Sequence, residues 1–541
     1  QFVQADAASR RGLTQVLGVN QMFSLTAQEL DNAFSAIQHH GYSAMLPAPP
    51  EWDVVVANWP AIRDAISQID LDTYAPYKPL TVFSPKNRAN VRVLHLLHPQ
   101  DLLIYTALTL IAKNDIEANR LPTRSKRVFS YRAAPTRDGE LYNVRGAYDL
   151  YQARLAELAE RPAFKYVAIA DIADFYARIY QHRLENVIES VATTQRVRDV
   201  ARVLVKKLIG NLMGKDSYGI PVGPYASRLL AEALLIDVDT QLKTSGVEFA
   251  RWVDDFVIFT KSEYEAQSIL FTLGEWLYTR HGLTLQSAKT QILTIASYRD
   301  QHLVRHDDRL TDRDAVVQMF RDAGDDYGDA EEPSEEEIQE MLNALQGHDV
   351  VGILRASMQD TELVDYQAVT YALTKLPRIP GAPADLKREV LELVIDNAEL
   401  LYPVAEHIAT YVLSFDDLTK AERKSIAKKL LKPLQSKRRP PPPYYAMWIL
   451  HIFASSPEWN HANEIMKLFN DSGSEVIKRS CALVIHKSGT RAQAVAVKDA
   501  YGSASHMLRL GILCATHRLG ADERRHWKLV QGVNGVIEKL V

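Results

Sequence analysis

Three aspartates carry the chemistry to be expected of this sequence. Asp254 and Asp255 are adjacent, inside Arg251-Trp252-Val253-Asp254-Asp255-Phe256-Val257-Ile258-Phe259. Asp171 closes a second apolar run, Phe164-Lys165-Tyr166-Val167-Ala168-Ile169-Ala170. Ionised carboxylates side by side repel each other, and burial adds to the cost, unless a cation neutralises them. Mg²⁺ does so: it takes a few carboxylates and leaves its other positions to water and substrate phosphates. Mn²⁺ favours the same ligands and is the alternative ion. On its own an Asp-Asp pair is an ordinary surface turn. Here apolar residues flank it on both sides.

The elements that must position these residues follow from the pattern. The two apolar runs predict buried strands. The second would be a strand–turn–strand hairpin with Asp254 and Asp255 at its tip. Asp171 falls at a strand's C-terminal end, where α/β folds tend to place active sites, whereas Asp174 could cap the next helix. Upstream, Thr81-Val82-Phe83-Ser84-Pro85-Lys86 predicts a strand ending near a proline. Arg88, Arg92 and the apolar stretch Val93–Leu97 follow. A helix is predicted from Asp101, just after Pro99, to about Glu117. Arg120, Arg124, Lys126 and Arg127 lead into Val128-Phe129-Ser130-Tyr131-Arg132. Cations clustered beside strands suit triphosphate or nucleic-acid backbone, although a solvated basic face is the plainer reading. Gly219-Ile220-Pro221-Val222-Gly223-Pro224 fixes a tight loop. A long helix is predicted after it, from near Tyr225 to about Leu242. Beyond the hairpin a helix over Glu263–His281, a short strand Gly282-Leu283-Thr284-Leu285 and the segment carrying Lys289 are expected.

The 541 residues should hold more than one domain. A net charge of −4 supplies no global field for nucleic acid, so such binding would need a local basic groove. Two cysteines, Cys481 and Cys514, exclude a disulfide framework and suit a reducing compartment. No apolar run approaches the roughly 18 residues of a membrane span. Gln1-Phe2-Val3-Gln4 shows no signal-peptide pattern, so a cytoplasmic protein without membrane contact is expected. Composition shifts near residue 300. An acidic run from Asp325-Asp326 to Glu335-Glu336-Glu337 reads as a linker up to Pro333, and Ser334 with Glu337 has capping-box spacing. Short helices then recur: Ser334–Leu345, Leu386–Asn397, Tyr402–Leu413, Lys420–Leu431, Tyr444–Phe453, Ala462–Phe469 and Glu475–His486. They are similar to HEAT-like repeats. The expected organisation is an N-terminal helical extension over 1–79, a catalytic unit over 80–300, a linker over 301–333 and a helical repeat domain over 334–541.

The order of these motifs resembles the palm of reverse transcriptases. Asp171, the Gly-Pro loop with its helix, the Asp254-Asp255 hairpin and Gly282…Lys289 match motifs A to D. Pro85-Lys86 through Arg92 and Asp101 resembles the preceding fingers motifs. The resemblance covers about residues 80–295. Within that superfamily the chain is most similar to the bacterial abortive-infection and defence-associated reverse transcriptases (Abi/UG type). Gly219 to Pro224, Ser227 and Leu230-Ala231-Glu232 resemble their motif B. The implied fold is α+β: reverse-transcriptase-like fingers and palm followed by an all-α HEAT-like repeat domain, with no conventional thumb.

The resemblance implies roles. Asp171 and Asp254 would bridge two Mg²⁺ ions, with Asp255 and the Ile172 carbonyl assisting. Tyr176 would be the aromatic gate that crowds a ribose 2′-OH. Lys86 and Arg92 would neutralise the triphosphate, with Arg132 a weaker candidate. Lys289 would protonate the leaving pyrophosphate, and Gly223 and Ser227 would line the nucleotide site. Two departures stand out. Trp252 replaces the Tyr that usually opens the hairpin, and Val222 replaces a Gln that helps place the incoming nucleotide. The implied activity is DNA polymerisation from dNTPs in anti-phage defence; some members of the group are protein-primed and template-independent, which would leave the DNA product covalently attached, and the sequence does not choose this mode over the others. The alternatives are templated synthesis on an associated non-coding RNA, and a catalytically silent sensor scaffold. Family analogy also implies a symmetric homo-oligomer.

Overall fold

The computed structural model describes residues 22–86, 90–134, 140–143, 146–303, 349–359, 364–436 and 440–541, with Gln339 and Leu342 between. Arg88, all but the first three residues of the expected linker, the Ser334–Leu345 helix apart from Gln339 and Leu342, and Lys437-Arg438-Arg439 lie outside the described residues.

The site is built on a four-stranded antiparallel sheet. Its strands are β5 (Tyr166–Asp171), β6 (Glu248–Trp252), β7 (Asp255–Thr260) and β8 (Gln291–Thr294), in spatial order β6-β7-β5-β8. The register pairs Tyr166 with Thr260 and Asp171 with Asp255. Phe256 to Thr260 are all buried, which is why this strand reads as an unbroken apolar run rather than an alternation. Helices Ala147–Ala159 and Glu263–Trp276 pack against the sheet. A separate hairpin, β1 (Leu80–Lys86) and β2 (Asn90–Leu96), pairs Ser84 with Arg92 and Lys86 with Asn90. A small third pair joins β3 (Arg132–Ala133) to β4 (Tyr142–Asn143).

The Pro99–Asn119 helix runs through the centre of this half. It is capped by His98, whose Nδ1 accepts from the Gln100 N–H, and Pro99 sits in its first turn. It is buried on nearly every side, and a helix apolar all round belongs inside. Asp101 in its first turn is also fully buried. It accepts from the Tyr74 hydroxyl at 2.6 Å and the Tyr77 N–H at 3.0 Å. Burial nevertheless raises its pKa to about 7. An unfolded aspartate titrates at about 3.9, so between about pH 4 and 7 the folded state holds a proton that the unfolded state has released. This group's contribution to stability therefore falls as pH rises through that window. Asp101→Asn is expected to flatten this component of the stability–pH profile, measured by urea unfolding at stepped pH. A profile parallel to wild type would refute the assignment.

Two expected elements are corrected. The helix predicted from Tyr225 to Leu242 is two helices, Ala226–Leu234 and Ile236–Thr244, broken at Leu235. Gly282–Leu285 is not a strand: it makes one bridge, Leu285 to Ile172, and the strand is β8 instead. Gly282, at φ +66°, ends a π-helical turn over Leu277–His281, so the chain is still reversing there. Asp174 precedes the Phe175–Arg178 helix in a left-handed conformation but makes no side-chain cap.

From Val350 onward every described element is a helix. The expected helices are found over Ala384–Asp396, Ala405–Leu413, Lys420–Leu434, Pro443–Ser455, Ala462–Asp471 and Glu475–Ser488. This array docks on the N-terminal half. Arg479 donates to Glu51 at 2.6 Å, and both side chains are buried. Glu538 lies 3.4 Å from His98. No described helix is long and apolar enough to cross a membrane.

Candidate active site

Asp171 and Asp255 are directly opposed across β5 and β7, so their side chains share one face with Cβ atoms about 4.5–5.5 Å apart. Asp254 stands in the two-residue turn beside them, and its carbonyl accepts from the Ile172 N–H at 3.2 Å. All three carboxylates thus meet at one end of the sheet, as the hairpin expectation required. Burial, then repulsion from Asp255 and Asp171, raises the pKa of Asp254 to about 7. Burial and Asp171 raise that of Asp255 to about 6, with Lys289 and Lys86 pulling it back. Lys289 reaches the same point: its ammonium donates to Asp171 Oδ2 at 2.5 Å. Partial burial opposes its charge, yet the Asp171 hydrogen bond and the three carboxylates hold its pKa above the ordinary lysine value. The Gln286 N–H, on the same turn, donates to the Asp171 carbonyl at 2.7 Å.

The turn is held by a buried network that sequence reasoning missed. Val253 adopts φ +55°, an outlier for a β-branched residue. Its N–H donates to Ser130 Oγ at 2.9 Å, and its carbonyl accepts from Arg251 Nη1 at 2.5 Å. Ser130 donates to Glu232 Oε1 at 2.5 Å. Arg251 grips Asp239 with two nitrogens, at 2.7 and 2.5 Å, and meets Glu232 at 3.0 Å. Arg120 donates to the same Glu232 oxygen at 2.7 Å. Two guanidinium and two carboxylate groups, all buried, balance one another directly behind the aspartates. Strain of this kind persists only where surroundings over-determine it. The only sequence signal was Glu232, a charge inside an otherwise apolar helical run.

The remaining expected residues fall into two groups. Lys86 ends β1 close enough for its charge to act on Asp255. Tyr176 is half-buried near Asp254, Tyr131 and Arg228, and burial pushes its phenol well up. Ile172 is buried, and its carbonyl accepts no hydrogen bond among the described residues. Arg92 is exposed on β2. Its Nη1 lies 3.4 Å from Met45 Sδ, and its charge acts on Glu406 of the helical array. Arg132 is tied to Glu117. Ser227 is 1% exposed; it exchanges a 2.8 Å hydrogen bond with Tyr105 and donates to the Pro221 carbonyl at 2.5 Å. It therefore acts on the site through the shape of the loop. Gly223 has φ +127°, and a Cβ there would meet Ser43 Oγ at 3.1 Å and the His95 carbonyl at 3.2 Å. Its openness is used by its own chain. Val222 exchanges hydrogen bonds with His95, and the Ile220 N–H donates to the Tyr176 carbonyl. The loop so links β2 to the segment after Asp171. Trp252 packs edge-on against Tyr148 at 5.1 Å, in the core.

The donor set fits a hard divalent cation. Two of its acids are pushed toward protonation, partly by neighbouring carboxylates, and a lysine already supplies positive charge. Among the described residues no three His, Cys, Asp or Glu side chains form a closed ligand set. Mg²⁺ accepts an open arrangement, because it keeps waters and substrate phosphates among its ligands.

Three acids and a lysine thus meet at one sheet end, an arrangement suited to phosphate chemistry. Residues 86–334 match the family described as "Reverse transcriptase (RNA-dependent DNA polymerase)", and the chain contains a reverse transcriptase domain. Among solved structures the chain is similar to telomerase from Candida albicans in complex with the TWJ fragment of telomeric RNA. That match has 11% identity and a TM-score of 0.31, and covers 76% of this chain and 65% of that one. It is also similar to apo telomerase from Candida tropicalis, at 12% identity and a TM-score of 0.31, covering 89% of this chain and 74% of that one. This chain thus spans 65% of the first telomerase chain. No curated protein matches.

Proposed function

We propose that this protein is a DNA polymerase of the reverse-transcriptase type. It adds dNTPs by phosphoryl transfer, without a template and primed from its own hydroxyl, in the anti-phage defence of a bacterial cytoplasm. Residues 80–300 form its catalytic unit and 334–541 a HEAT-like arm. The observation that carries the polymerase reading is the convergence of Asp171, Asp254 and Asp255 with Lys289 at one sheet end. Val222 in place of an amide side chain supports the untemplated mode. The defence role rests on the resemblance of the Gly-Pro loop and its helix to that group.

Mg²⁺, or Mn²⁺ in its place, would be held by Asp171 and Asp254 with Asp255 and the Ile172 carbonyl, and would stabilise the attacking and leaving oxygens. The chain's own residues do the rest. Lys289, held protonated beside Asp171, donates a proton to the departing pyrophosphate. Lys86 offsets triphosphate charge from the β1 end, with Arg92 next to it on the same hairpin. Catalysis of this type is mostly positioning and charge stabilisation. Tyr176, fixed through its carbonyl by Ile220, matches the family's aromatic gate and would crowd a ribose 2′-OH. Tyr176→Ala is therefore expected to raise the rNTP:dNTP incorporation ratio by about tenfold or more, within the 1–3 kcal/mol of small steric discriminations. Unchanged sugar discrimination would remove the gate.

The test is incorporation of labelled dNTPs by purified protein with Mg²⁺ and no added template or primer, with products resolved before and after protease and RNase. Label released only by protease supports the proposal. Synthesis that is RNase-sensitive, or that begins only when a partner RNA is supplied, would replace it with the RNA-templated reading. Silence under every condition would leave a scaffold.

A further inference from the structure

Arg228 lies in the first turn of the Ala226–Leu234 helix, directly after the Gly-Pro loop. Its guanidinium carbon is 4.9 Å from the ring centres of Tyr131 and Tyr225 and 6.0 Å from that of Tyr142. Nη1 donates to the Tyr142 hydroxyl at 3.1 Å. Tyr176 is close enough to interact electrostatically with both Arg228 and Asp254. The cage therefore joins the aspartate end of the sheet to the loop above it.

What the cage lacks is an anion. Five arginines of this half, Arg120, Arg127, Arg132, Arg154 and Arg251, are each paired with a carboxylate. Arg228 pairs with none among the described residues. No hydrogen-bond partner is found there for its Nε and Nη2, and the side chain is partly exposed. Stacking on tyrosine faces orients a guanidinium and leaves the edge of its fork free. That edge matches the oxygens of a phosphate, bidentately. A surface arginine would gain little from such an arrangement; one linked through Tyr176 to the aspartate end of the sheet gains a fixed geometry.

We propose that Arg228 is a phosphate-binding residue of this site, held by its tyrosine cage so that its free edge takes a phosphate oxygen of a nucleotide or nucleic-acid strand bound at the aspartate end of the sheet. The polymerase reading says who owns the phosphate; the binding itself rests on the cage. The phosphate could belong to an incoming triphosphate or to a strand's backbone, and the two are separable. Binding of a fluorescent dNTP and of a short labelled single-stranded DNA is measured on the full chain over a range of salt. Arg228→Gln is expected to weaken one of them about tenfold or more. If the strand is the ligand, the slope of log affinity on log salt should also fall by about one. If the triphosphate is the ligand, strand affinity should be unchanged. Arg228→Lys should restore part of the affinity, since it keeps the charge and loses the fork. Unchanged affinity for both probes would overturn the proposal and leave a purely structural cage. Should the variants not fold, the wild-type chain is treated with phenylglyoxal with and without each probe, and adducts are mapped by mass spectrometry. Protection of Arg228 by either probe supports the site, and equal modification refutes it. Neither readout needs turnover, so an inactive enzyme with intact Arg228 binding would sink the polymerase reading alone.

Discussion

Asp254→Asn is expected to lower dNTP incorporation by on the order of 10³-fold, as loss of one electrostatic stabiliser of the transition state does. The same variant, freed of divalent metal, should melt at a higher temperature than wild type above neutral pH. The two effects share one cause. Burial and the neighbouring Asp255 and Asp171 raise the Asp254 pKa to about 7. Above that pH its charge is worse placed in the folded protein than in the unfolded chain, so its stability contribution is lost as pH rises through 7. Asn keeps the size and removes the charge, while the backbone bond from Ile172 to the Asp254 carbonyl stays in place. Activity and stability should therefore move in opposite directions, as at sites where function is kept at a cost to the fold. The measurement is incorporation beside a melting curve at about pH 8 in chelator. An inactive variant that also melts lower would mean that Asp254 supports the fold rather than the reaction. Wild-type incorporation would remove the metal assignment altogether.

Arg251→Met should destabilise the protein by about 3–5 kcal/mol, the usual cost of stripping one partner from a buried ion pair. Asp239 would then lose both of its guanidinium bonds, Glu232 would keep only Arg120 and Ser130, and the Val253 carbonyl would lose its donor. Incorporation should fall with it, because the left-handed Val253 sets where Asp254 and Asp255 stand. Arg491→Ala is the control. That arginine also pairs with a glutamate, at 2.9 Å, but is 65% exposed, and such pairs are worth about 0–1 kcal/mol. Urea unfolding of both variants decides. Equal, small losses would mean that the inner network is not what holds the turn.

The acids of the site were legible because carboxylates interrupt apolar runs, and two such runs pointed to one sheet. The strand pairing then brought Asp171 against Asp255 with no further signal needed. What holds them was not legible. Ser130 reaches Glu232 across 102 residues and Val253 reaches Ser130 across 123, and no local pattern encodes such contacts. The resemblance to motif B implied that Ser227 and Gly223 line the nucleotide site. The fold sets them against Tyr105, Ser43 and His95 instead. The missed break at Leu235 has no Gly or Pro to announce it. It falls between Glu232 and Asp239, which meet on one guanidinium. Likewise β8 was misplaced because a short run says nothing of which neighbour it will pair with.

The ion pair between Glu51 and Arg479 spans 428 residues of chain. During synthesis at about 5–20 residues per second, the second partner leaves the ribosome roughly 20–90 s after the first. For that interval Glu51 has no guanidinium to meet, and the face it belongs to must wait open or be shielded by a chaperone. Assembly of the N-terminal half is thus timed by the arrival of the last helices, so a truncated or stalled chain would display an incomplete and aggregation-prone surface rather than a finished catalytic half.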